Sequence, residues 1–207
     1  MEEIKELQLC LENETNPIRR LALESNIARA HENLASLPNF TPRLPDQTFD
    51  NTLIFHGSQR KAELLTQGKG HTESDAYLIL PGERIMFMGD LGFFQCQPFM
   101  VFADLPSWEA QLTTFLGSGI ETFVPGHGML GRISDITLML EYFDILEELV
   151  SRVVEEGKPV ETALQQNLPP PFKDWQASGS TRFGRNVEAL YQKITNSKNN
   201  DQAQVNT

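Results

Sequence analysis

Three residues able to bind a metal or move a proton, His71, Asp90 and His127, stand at the ends of short apolar runs. His71 follows Gly70 and leads through Thr72-Glu73-Ser74-Asp75 into the run Ala76-Tyr77-Leu78-Ile79-Leu80. A Pro81-Gly82 turn reverses the chain, and a second run, Ile85-Met86-Phe87-Met88, delivers Gly89-Asp90. Antiparallel pairing of the two runs makes the outer ends of this hairpin neighbours, so His71 and Asp90 face one cleft. An imidazole and a carboxylate held there form half of a metal site or an acid–base pair. The same residues also admit a plainer reading, a hydrogen-bonded structural His and an Asp that caps its loop. A third segment repeats the pattern. Ile120-Glu121-Thr122-Phe123-Val124 is a short strand-like run that ends in Pro125-Gly126-His127-Gly128.

Composition narrows what such a site could serve. At 207 residues the chain is long enough for one domain with a proper core. A formal net charge of −11 repels nucleic-acid phosphate and anionic lipid, which argues against both as partners. It leaves a small-molecule substrate open, an anionic one included, because a bound metal would dominate the local field. The two cysteines, Cys10 and Cys96, form no CxxC pair and read as reduced thiols. The acidic N-terminus lacks the basic head and apolar run of a signal peptide, and no apolar stretch reaches the ~20 residues that cross a bilayer. A cytoplasmic location is the expectation.

The elements that must position the three residues can be read in order. Residues 2 to about 36 read as helical, with a break at Asn16-Pro17. Pro42 to Pro45 is a linker, and 48–57 and 61–66 read as two strands around a turn at Ser58-Gln59. Phe93, Phe94, Phe99 and Phe102 follow the hairpin and read as packing onto the core, or as an apolar lid. Ser107 is the expected cap of a helix through Leu116, and Ser134 of the longest helix, to about Glu156. Gly157 stops that helix, Pro169-Pro170-Pro171 breaks the chain again, and 183–194 is a last amphipathic helix. The polar segment 196–207 reads as a disordered tail, leaving residues 1–195 as one domain. Strands in the middle and helices at both ends make an α+β fold.

Gly70-His71-Thr72 with Asp75, then Gly89-Asp90, then Pro125-Gly126-His127-Gly128, in that order and spacing, resemble the metallo-β-lactamase fold superfamily. The similarity runs from about Phe49 to Ile194 and includes the closing segment Arg182-Phe183-Gly184-Arg185-Asn186-Val187. It is closer to soluble bacterial hydrolases of the group than to secreted antibiotic-degrading enzymes. The resemblance implies an αββα sandwich holding two metal ions, commonly zinc. In it His71 would bind the first metal, Asp90 would bridge both, and His127 would bind the second. It implies hydrolysis of an ester, thioester or phosphoester, with Asp90 as the catalytic centrepiece.

One departure stands beside the match. The family's upstream His-x-His-x-Asp-His is absent, since the four histidines are His31, His56, His71 and His127. His31, within a helical run, and His56, alternating with apolar neighbours, read as structural. An N-terminally truncated sandwich with a partial ligand set is therefore expected, with weak zinc occupancy. Its missing strands would expose a sheet edge. The rival to a hydrolase is a non-catalytic remnant, a binding or oligomerisation module that forms a homodimer through that edge.

Overall fold

The computed structural model describes residues 2–15, 17–175 and 182–205. They divide into two compact units, Met1–Thr48 and Phe49–Thr207, where the sequence suggested one domain. The first unit is helical. Helix α1 (Glu2–Asn13) and helix α2 (Pro17–Ser36) flank the expected break, of which Asn16 lies outside the described residues. The Arg20 guanidinium donates to Leu11 O at 2.7 Å and Glu14 O at 2.9 Å, satisfying carbonyls that the end of α1 leaves unpaired. His31 is exposed on α2.

The second unit carries one five-stranded sheet in the order β1-β2-β3-β4-β5. Strands β1 (Thr52–His56), β2 (Lys61–Gly68), β3 (Asp75–Leu80) and β4 (Ile85–Phe94) form an antiparallel meander. Strand β5 (Thr122–Gly128) returns parallel to β4 after helix α3 (Leu105–Leu116). Because side chains alternate along a strand, the register sorts residues onto two faces. Tyr77, Met86, Met88 and Phe123 lie on one face and join the buried core with Trp108 and Leu112 of α3. Leu53, Leu64, Leu78, Phe87 and Val124 are paired in turn across all five strands on the other face, and Phe87 there is 43% exposed. The sheet is thus apolar on both sides, with its described helices packed on one. Among the described residues there is this one sheet.

Helix α4 (Ile133–Glu155) lays Ile136, Met139, Phe143, Leu146 and Val150 into the core. Its Tyr142 stacks on Trp175 at 5.4 Å. Two expected caps are replaced by neighbours. Asp104, and not Ser107, caps α3, its carboxylate accepting the Ser107 N–H at 3.2 Å. At α4 the Asp135 carboxylate accepts the Arg132 N–H at 2.9 Å, so Ser134 already lies inside the helix. In both cases a carboxylate supplies the acceptor at the positive end of the helix. After the short helix α5 (Glu161–Leu164), helix α6 (Arg182–Val205) closes the fold. The segment expected to be a disordered tail is helical through Val205, since propagating an existing helix is far cheaper than nucleating one. Asn206 and Thr207 lie outside the described residues. No helix among those described is long and apolar enough to cross a membrane.

Candidate metal centre

His71 sits in the loop that enters β3, and that loop is tied from both sides. The Asp75 carboxylate accepts the Thr72 N–H at 2.8 Å and the Thr72 hydroxyl at 3.0 Å, while Gly70 N–H donates to Thr72 O at 2.9 Å. Such a side-chain-closed turn fixes the backbone on which His71 is carried. Beneath it, Gly70 O accepts the Asp104 N–H at 2.9 Å. A Cβ on Gly70 would stand 2.8 Å from Leu91 Cδ2, so a larger residue there would push the buried Leu91 side chain aside. The imidazole lies between Phe93, centroids 5.5 Å apart, and the edge of Trp108 at 5.3 Å. Trp108 is held in turn by Nε1–H donating to Leu91 O at 3.0 Å.

Asp90 is not at a strand end, as the sequence suggested. Strand β4 continues to Phe94 and is irregular where it passes Asp90. Between the pairs Gly89↔Pro125 and Phe93↔His127, β4 takes four residue steps while β5 takes two. The surplus bulges away from the ladder, a device that re-aims side chains. Gly89 turns the corner with φ +54°, a left-handed conformation that favours glycine. The carboxylate that follows is 46% exposed. His127, near the end of β5, lies flat on the Phe93 ring, centroids 4.6 Å apart and planes 13° apart. Phe93 itself is fully buried, so it is the floor of the site and not a lid.

The three expected residues therefore converge. His71 Nδ1 lies 3.9 Å from Asp90 Oδ2, and His127 Nε2 lies 3.4 Å from Asp90 Oδ1. One carboxylate turns one oxygen toward each imidazole. His71 Nδ1 is also a buried nitrogen with no hydrogen-bond partner. Burial lowers the His71 pKa, against the opposing pull of Asp90 and Asp75, which keeps the ring neutral near pH 7. A neutral imidazole with a buried, unpartnered nitrogen aimed at a carboxylate is suited in type and direction to a divalent cation. The number of donors falls short. Each of two ions would receive one nitrogen and one oxygen, where zinc usually takes three or four protein ligands. Among the described residues, no three His, Cys, Asp or Glu side chains are grouped to hold one ion.

His31 and His56 take no part; His56 is exposed at the far end of β1. Sequence reasoning put Phe93 on a segment over or beside the cleft but did not place Trp108 or Arg182 at the site. The Arg182 guanidinium lies over the Phe93 ring, 5.9 Å from its centroid. An aromatic in the residues after Gly-Asp was visible in the sequence, but its stacking on a residue more than thirty positions later was not.

A family model described as the metallo-beta-lactamase superfamily matches residues 11–127. Among solved structures, the chain is similar to a metallo-beta-lactamase from Pontibacter korlensis, with 25% identity over 52% of this chain and 54% of that one, at a TM-score of 0.44. It is also similar to a stereoselective inverting sec-alkylsulfatase from Pseudomonas sp., with 14% identity over 70% of this chain and 26% of that one, at a TM-score of 0.53. The latter likeness is one of fold. The chain spans about half of the first structure's length and about a quarter of the second's. No curated protein matches it.

Proposed function

The chain belongs to the metallo-β-lactamase superfamily, and from that premise we propose that it is a metal-dependent hydrolase acting on a small ester, thioester or phosphoester. His71, Asp90 and His127 would hold the metal, with zinc the ion that suits two imidazoles and a carboxylate. One observation carries the proposal: the two oxygens of Asp90 face one imidazole nitrogen each. A bound divalent ion would supply water of lowered pKa and polarise the scissile bond. The chain's own residues do the positioning. Asp90 spans the two imidazoles from its bulge, Phe93 fixes the plane of His127, and Trp108 with Phe93 shields His71 from water. Further donors to each ion would come from outside the described residues.

The test is turnover of ester, thioester and phosphoester substrates by the zinc-supplemented protein as its gene encodes it. Metal-dependent turnover that Asp90→Ala abolishes, with an unchanged fold by circular dichroism, is expected. Retention of turnover and zinc content by the folded variant would refute the role of Asp90.

A second reading is favoured by a separate observation. Strand β1 is paired on one side only among the described residues, and its Ile54 and Phe55 are 44% and 48% exposed. Such an edge invites pairing with a second copy of the chain. If the chain is a homodimer of this kind, Ile54→Lys shifts it to monomer in analytical ultracentrifugation. A wild-type protein that is already monomeric at high micromolar concentration would remove this reading.

A further inference from the structure

Arg182 opens helix α6 and reaches the aromatic floor beneath the two histidines. Its guanidinium lies 5.9 Å from the centroid of Phe93 and 5.8 Å from that of Phe99, both within cation–π range. Phe93 is the ring on which His127 stacks and against which His71 leans. One anchor orients the guanidinium: its Nη1 donates to Gln97 O at 2.9 Å. Among the described residues no carboxylate lies within ion-pair distance of it, and Gln97 O is its one acceptor. Its charge is nevertheless felt at His71, and that of Asp90 is felt at Arg182.

Acidic side chains are plentiful in this chain. It holds 28 acidic residues against 17 Lys and Arg. Exposed cations such as Arg60, Lys61, Arg84 and Lys158 all find an acidic neighbour. Arg182, like the part-buried Arg20 and Lys193, is bonded only to backbone carbonyls among the described residues, and Arg182 is the one that lies over Phe93. A partly desolvated, unpaired cation is costly, so an anion that matched the charge of Arg182 would bind favourably. A guanidinium has five N–H donors in a planar fork suited to two oxygens at once. Arg182 uses one on a neutral carbonyl and rests its face on two rings, and no other acceptor meets the fork among the described residues.

We propose that Arg182 recognises an oxyanion: it takes the carboxylate, sulfate or phosphate group of the molecule that occupies the site, on the Phe93 platform beside His71 and His127. The inference rests on the hydrolase reading for the word substrate, and then narrows that substrate to an anionic ester. The anion site itself stands without any turnover. In a chain of net charge −11, nonspecific attraction of anions is disfavoured, so binding at this position must be local.

The experiment titrates the full-length protein with inorganic phosphate, and separately with acetate, and follows the arginine Nε–Hε resonances by NMR. Charge-assisted bonds of this kind are typically strong enough that losing the fork weakens binding about tenfold or more. A saturable shift of the Arg182 resonance is expected, with the phosphate Kd raised about tenfold in Arg182→Gln. Asp90→Ala, which removes a nearby negative charge, should bind phosphate at least as tightly as wild type. Should Arg182→Gln fail to fold, Arg182→Lys keeps the charge but not the fork, and a severalfold weaker Kd is the expected reading. An Arg182 resonance that phosphate and acetate leave unmoved to tens of millimolar overturns the proposal, as does an Arg182→Lys Kd equal to wild type. If turnover is found, neutral and anionic esters separate the two readings. Equal preference for them in wild type and Arg182→Gln sinks the anion site and leaves the hydrolase standing. Phosphate binding with no turnover does the reverse.

Discussion

Gly126→Ala places a single methyl group where the account allows none. The added Cβ would collide with Asp90 Oδ1 and would lie 2.8 Å from both the carbonyl carbon and the carbonyl oxygen of Gly89. The carboxylate could swing aside, but the Gly89 carbonyl is backbone, fixed by the Gly89↔Pro125 pairing at a left-handed φ. Strands β4 and β5 must therefore separate at the bulge that presents Asp90. Forced overpacking of this kind costs about 1–3 kcal/mol. A loss near 2 kcal/mol is expected here, because two of the three close contacts are unyielding. For a chain of this size that is a fall in Tm of about 4–8 °C. Gly117→Ala is the matched control, since its Cβ would meet nothing within 4 Å and its φ of −99° suits any residue. Urea unfolding followed by circular dichroism compares the two variants at constant m-value. Gly126→Ala should also weaken Co²⁺ binding under conditions where it remains folded. Equal stability of the two variants, within about 0.5 kcal/mol, would refute the close approach of β5 to Asp90.

Two further outcomes follow from groups outside the site. Asn186 is fully buried, accepts the Met100 N–H at 2.9 Å and donates to Pro98 O at 2.8 Å. Asn186→Ala should therefore cost about 2–4 kcal/mol in urea unfolding, because two buried backbone groups lose their partners. Burial, then Glu147 and Asp144 of α4, push the Glu109 carboxyl up from an ordinary 4.5 to about 7. The folded state thus holds this proton more tightly than the unfolded state does. Its contribution is fully present below about pH 4.5 and is lost as pH rises through 7. With solvent screening of a partly exposed group, Glu109→Gln should gain on the order of 1 kcal/mol over wild type at pH 8 and little at pH 4.5. A pH-independent difference between the two proteins would contradict this.

The convergence of the three candidate residues was legible in the sequence, and for a local reason. His71, Asp90 and His127 are each marked by an adjacent glycine after or within an apolar run, and hairpin geometry alone brings the first two together. His127 joins them because β5 lies parallel beside β4, a pairing that no local signal announces. The bulge was hidden for the same reason, since it exists only as a mismatch of register between two strands. The starts of α3 and α4 were missed by a few residues because Asp104 accepts the Ser107 N–H and Asp135 accepts the Arg132 N–H, so each helix begins ahead of the expected serine. Arg182 was visible as a residue but not as a member of the site. Its place there depends on α6 packing back across the fold to Phe93 and Phe99.

The central claim, that Asp90 links two imidazoles as metal ligands, is tested most directly by zinc titration of the protein beside Asp90→Ala. Competition with a chromogenic chelator gives the Kd, and elemental analysis after dialysis gives the stoichiometry. One imidazole and one carboxylate oxygen per ion supply far less than the ~10–16 kcal/mol of a structural zinc site. Saturable but weak binding is therefore predicted, largely removed by dialysis and lost in Asp90→Ala. Zinc binding by Asp90→Ala equal to that of wild type would contradict the account.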